Sequence, residues 1–113
     1  MRVLVTGGSG FLGGHIVEAL SNRGDRVRAL VRKTSERSHL ERLPNVELFQ
    51  GSMEDMDRLH EAVDGVDAVV HAAGLVKARS AAEFFSVNVG GTSNLIEACR
   101  VRRVKRFVLV SSL

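Results

Sequence analysis

The ten residues "VTGGSGFLGG" at positions 5–14 constrain this chain more than any other stretch, because five of them are glycine and a short apolar run precedes them. Glycine at that density belongs where the backbone turns sharply or where another group approaches it closely. Arg2 to Thr6 ("RVLVT") has the β-branched character of a buried strand. After the glycines, Leu12, Ile16 and Leu20 recur four apart, which is helical spacing, and Gly24 supplies a stop. A strand, a glycine turn and a helix start in succession make an anion site. First-turn amides lack intrahelical partners, and the helix dipole adds positive potential there. The glycines read in two registers: Gly8, Gly10 and Gly13 form G-x-G-x-x-G, and Gly7, Gly10 and Gly13 form G-x-x-G-x-x-G.

The rest of the chain repeats the alternation. Strands are expected at 26–32, 46–50, 67–73 and 106–112. Helices are expected at 35–43, through Met56, Leu59 and Val63, and over 81–100, with Gly90 and Gly91 inside the last. Ser52 and Asp55 have the spacing of a capping box before the third helix. The strands are near-continuous apolar runs without hairpin signals, as parallel strands covered on both faces should be. Right-handed crossovers then lead to a Rossmann-like doubly wound α/β fold: five parallel strands in the order 3-2-1-4-5, with helices on both faces. A length of 113 residues allows one such domain, spanning 1–113.

Composition narrows the function. No apolar run is long enough to span a membrane, and "MRVLV" is too short for a signal-peptide core, so a cytoplasmic setting is expected. The lone Cys99 excludes an internal disulfide and is expected to pack as a small buried hydrophobe. The four histidines lack metal-ligand spacing, so no metal is expected, and His71 is expected to line the pocket. "RVRRVKR" at 100–106 is basic, but no aromatic residue interleaves with it and it closes a helix, so nucleic acid is not an expected partner. The chain contains no tyrosine, so it cannot by itself complete a mechanism that needs one.

The end of the second strand bears on the cofactor. Where NAD-binding folds place a carboxylate about 20 residues after the glycines, this chain has Arg32 and Lys33. Cations there suit a 2′-phosphate and favour NADP(H), with NAD(H) possible; the alternative is that both are solvated loop residues.

"VTGGSGFLG", "HAAG" after strand four, "NVGGT" in the long helix and "FVLVSS" on strand five together resemble the extended short-chain dehydrogenase/reductase superfamily. Within it, the likeness is to the epimerase/dehydratase group, leaning toward its dihydroflavonol-reductase-like branch. The resemblance covers the whole chain and selects the Gly7–Gly10–Gly13 register. It implies that Thr6, Gly7, Gly10, Phe11, Leu12 and Gly13 cradle a pyrophosphate and that Arg32 meets the 2′-phosphate. It further implies that Ala72, Ala73 and Gly74 line the adenine and ribose path, and that Asn88 holds neighbouring main chain.

Where the family has Gly-Asp-Leu after strand three, this chain has Gly51-Ser52-Met53. Ser52 can accept a bond from adenine, or it can cap the next helix. The family's catalytic Tyr-x-x-x-Lys pair would lie beyond strand five, and Ser112 is the nearest candidate for its active-site hydroxyl. The resemblance thus implies the dinucleotide-binding N-terminal part of an oxidoreductase or epimerase, whose complete form moves hydride to or from a carbonyl or alcohol carbon of a small molecule. The alternative is a non-catalytic NAD(P)-sensing or structural module. An exposed "FVLV" edge would favour a homodimer.

Overall fold

The computed structural model describes residues 1–33, 37–72 and 81–110, with side chains from residue 89 onward in the last segment. Strands β1 (Arg2–Thr6), β2 (Arg26–Val31), β3 (Val46–Gln50), β4 (Ala68–His71) and β5 (Arg106–Leu109) alternate with helices α1 (Phe11–Asn22), α2 (Ser38–Glu41), α3 (Met56–Val63) and α4 (Ala81–Val101). All strand pairs are parallel, and the sheet order is β3-β2-β1-β4-β5. The expected order is the observed one.

Alternation along each strand divides the core into two layers. Val3, Val5, Val27, Ala29 and Val31 pack with Val17 of α1 and Leu40 of α2. Leu4, Leu30 and Val69 point to the other face, against Leu59, Ala62 and Val63 of α3 and Leu95, Ala98 and Cys99 of α4. Helices therefore cover both faces, and each fully buried leucine contributes about 1.5–3 kcal/mol. The strand order reverses between β1 and β4, which opens a crevice at their C-terminal ends.

Several local expectations need correction. The buried stripe of α1 is Gly13, Gly14, Val17 and Ser21, whereas Leu12 is exposed and Ile16 and Leu20 are half-buried. The helix rolls onto its glycines because they alone allow it to approach the preceding turn so closely. The Ser21 hydroxyl is accommodated in that stripe by donating to the Pro44 carbonyl.

The second helix is a single turn, Ser38–Glu41, that inserts Leu40 into the core. β4 ends at His71 and β5 at Leu109, each shorter than the apolar run suggested. No capping box forms before α3: Asp55 is itself the N-cap and accepts from the Arg58 amide at 3.1 Å. The helix-capping alternative for Ser52 is thereby removed.

Arg28, inside the apolar run of β2, was not singled out by sequence. Its guanidinium donates to the carbonyls of Glu61 (3.2 Å), Ala62 (2.8 Å) and Asp64 (3.2 Å), satisfying the orphan acceptors at the end of α3. Arg58 lies 4.0 Å over the Phe49 ring and donates to the Gln50 carbonyl, tying α3 to the end of β3.

Candidate functional site

The glycine turn lies at the C-terminal end of β1, beside the crevice. Gly7 has φ +71°, a left-handed conformation that an L side chain strains to adopt. Its carbonyl accepts from the Gly10 amide at 3.0 Å and closes the turn. Gly13 is required for a different reason. A Cβ there would sit 1.9 Å from the Gly7 carbonyl oxygen, so the first turn of α1 rests on the loop itself. Gly13 thus packs helix against loop, rather than helix against sheet.

Gly10 differs from both. Its φ of −81° suits any residue, and a Cβ would meet only the Gly7 carbonyl oxygen, at 3.4 Å. Folding alone does not demand glycine there. The residue is exposed. Gly10 is also the N-cap of α1, with no side-chain capping bond and no acidic residue in the first turn. The first-turn amides, of Phe11 and Leu12 among them, therefore receive no capping side chain from Gly10 or from an acidic residue of that turn. Both side chains are exposed, and Phe11 makes an edge contact with His15 at 4.7 Å between ring centroids.

Beneath this loop the strand ends carry a buried polar layer. Thr6, 1% exposed, has its Oγ1 2.5 Å from His71 Nδ1, and His71 Nε2 lies 2.9 Å from Thr92 Oγ1 of α4. Burial lowers the imidazole pKa below its ordinary value, so the ring is neutral near pH 7. One nitrogen donates and the other accepts; either tautomer serves, because each threonine hydroxyl can do both. The Thr6 side chain thus faces the α4 side of the sheet. His71 is 3% exposed with both nitrogens engaged, and does not line an open pocket as expected.

Arg32 and Lys33 are exposed at the end of β2. Arg37 donates to both of their carbonyls, at 3.0 and 3.2 Å, and so braces the segment that carries them. Ser52 and Met53 lie in the β3–α3 loop, where Ser52 lines an open depression with Glu54, Asp55, Met56 and Asp57. α4 holds this loop from behind. Asn94 Nδ2 donates to the Met53 carbonyl at 2.9 Å, and a Cβ on Gly91 would come within 3.1 Å of Met53 Cβ. Asn94, a residue the sequence did not single out, thus anchors the main chain of this loop. The side chain of Asn88 lies outside the described residues, as do Ala73, Gly74 and Ser112. Ala72 is half-buried at the crevice, its amide donating to the Thr6 carbonyl at 3.3 Å.

Cys99 is buried in the α3–α4 layer, and desolvation pushes its thiol pKa up to about 11, so it is a packing residue rather than a nucleophile. In the basic stretch, Arg100 pairs with Glu97 and Arg102 with Asp64. No helix among the described residues is long and apolar enough to cross a membrane.

The model of the NAD dependent epimerase/dehydratase family matches residues 3–113. A 3 beta-hydroxysteroid dehydrogenase/Delta 5-->4-isomerase of Mycobacterium tuberculosis is 41% identical, aligning with 98% of this chain and 31% of its own length. A 4-hydroxy-2-methyl-3-oxo-4-farnesyl-3,4-dihydroquinoline-1-oxide ketoreductase of Stigmatella aurantiaca is 42% identical, with 99% of this chain and 34% of its own length covered. Among solved structures, the UDP-glucose-4-epimerase of Stenotrophomonas maltophila with bound NAD superposes with a TM-score of 0.87 at 28% identity, covering 99% of this chain and 37% of that one. The chain thus spans about a third of the length of the proteins it matches.

Proposed function

This chain belongs to the NAD dependent epimerase/dehydratase family, and from that premise we propose that residues 1–113 form the dinucleotide-binding part of an NAD(P)-dependent dehydrogenase or ketoreductase. One observation carries the reading: the α1 N-terminus is uncapped behind Gly10, a glycine that the fold does not need. These residues fit a pyrophosphate. The amides of Phe11 and Leu12 would donate to it, the Gly7 turn would present them, and Gly13 would keep α1 seated on the loop. When bound, the dinucleotide supplies reversible hydride transfer at its nicotinamide. The chain's own residues bind and orient it. Ser52, Met53 and Ala72, with Ala73 and Gly74, would follow the adenosine, and Asn88 would hold main chain nearby.

Arg32, beside Lys33 on the segment braced by Arg37, supports preference for a 2′-phosphate, hence NADP(H) over NAD(H). The two similar curated proteins are named for a steroid and for a farnesylated quinoline. A bulky apolar molecule with a secondary alcohol or ketone is accordingly the substrate class we propose for the complete protein. Ser112 is the candidate hydroxyl from this chain. Calorimetric titration with NADPH and NADH tests the core reading: both bind, NADPH more tightly, and Arg32→Gln abolishes the difference. A chain that binds neither sinks it.

A further inference from the structure

We propose that His71 is a positioning residue, which holds the strand end before the glycine loop in register with α4 by bridging Thr6 and Thr92. This rests on the dinucleotide reading of the loop but concerns the side chains behind it, of which Thr6 and His71 are buried. This face of the sheet could have been closed with aliphatic side chains at this level, as one layer below, where Leu4 and Val69 are fully buried side by side. A polar chain, buried at Thr6 and His71 and half-buried at Thr92, spans β1, β4 and α4 instead, joining positions 65 apart and 21 apart. Phe107 of β5 closes the imidazole from the side, its ring centroid 6.2 Å away.

Two features show what the bridge controls. Thr6 immediately precedes Gly7, so a rotation of Thr6 is a rotation of the loop that presents the α1 amides. Thr92 belongs to the same turn of α4 as Gly91 and Asn94, which hold Met53 of the β3–α3 loop. One helical turn therefore sets the position of both loops between which an extended dinucleotide would lie. A hydrogen-bonded bridge suits that task better than apolar contact, because it is directional and each partner is left unsatisfied if the geometry slips.

The test uses the full 113-residue chain with His71→Leu, Thr92→Val and His71→Asn. Amide hydrogen exchange is read at Gly10 and Ala72, whose amides close the turn and join β4 to Thr6, and NADPH is titrated in parallel. His71→Leu and Thr92→Val are expected to speed exchange at those two amides at least tenfold, leave the β2–β3 amides unchanged, and weaken NADPH binding at least fivefold. His71→Asn, which can still bond Thr6, is expected to recover most of the protection at Gly10. Unchanged exchange at Gly10 and Ala72 in both variants overturns the proposal. So does a uniform rise across the sheet, the signature of general destabilisation, or unchanged affinity in a chain that binds NADPH. Failure of the unsubstituted chain to bind any dinucleotide rejects the site reading and, with it, the purpose assigned to the bridge.

Discussion

Thr6 and His71 face each other in the β1–β4 register, with Thr6 Oγ1 2.5 Å from His71 Nδ1 in a setting closed to solvent. Desolvation holds the His71 imidazole below its ordinary pKa.

A pH dependence of stability follows from that neutral, buried imidazole. In the unfolded chain a histidine takes up a proton near pH 6.5, whereas folded His71 does so only at lower pH. The stabilisation is fully present above about pH 6.5 and is lost as pH falls from there through the folded-state value, because the unfolded state binds the extra proton. Denaturant midpoints are expected to fall between pH 7 and pH 5, with a shallower slope in His71→Asn. The carboxylates held down by arginines, Asp25 by Arg23 and Glu97 by Arg100, lose their contribution in a more acidic window. Equal slopes in the two proteins would show that His71 is not the titrating group.

Gly13 and Gly10 should separate folding from binding. Gly13→Ala forces a methyl onto the Gly7 carbonyl and is expected to cost about 1–3 kcal/mol of stability together with dinucleotide affinity. Gly10→Ala should stay within about 1 kcal/mol of the parent chain, since its φ is ordinary and its surroundings open. It is nevertheless expected to lose at least tenfold in NADPH affinity. Thermal melts and titrations on both variants check this; parental affinity in Gly10→Ala would move the pyrophosphate away from the α1 N-terminus.

Arg28→Met should be costly for a residue inside a strand. Removing the guanidinium takes a donor from the Ala62 and Asp64 carbonyls and leaves Glu61 with the Asp64 amide alone, at about 1–3 kcal/mol. Arg28→Lys is expected to recover only part, because an ammonium cannot reproduce the planar fork. Urea denaturation measures both, and a neutral Arg28→Met would mean that water replaces the cap.

The β5 edge should govern self-association of the 113-residue chain. Val108 is 50% and Leu109 56% exposed on a strand whose described pairing is to β4 alone. Sedimentation is expected to show concentration-dependent dimers that Val108→Lys reduces, as charge on an edge strand opposes pairing. A monomer at every concentration would exclude pairing through this edge.

The expected sheet order and the seat of the glycine turn were legible because they rest on local signals: strand-length apolar runs, helical spacing, and glycine at a left-handed turn. The capping box at Ser52 failed because Asp55, with the same chemistry, stands nearer the helix start. The α1 stripe was displaced because periodicity counts apolar side chains, whereas the packed face here is centred on Gly13 and Gly14, which have none.

By itself the sequence determined the alternation of strands and helices, the Gly7–Gly10–Gly13 turn and the basic end of β2. The alternation is set by the conformational preferences of neighbouring residues, the glycine register by the family resemblance, and the basic end of β2 by residue type alone. Only the tertiary structure decided that Thr6, His71 and Thr92 form one bridge, that Arg28 closes α3, and that Asn94 holds Met53. Those pairings join residues 21 to 65 positions apart. Their partners are chosen by strand register and helix docking, which leave no periodic trace along the chain.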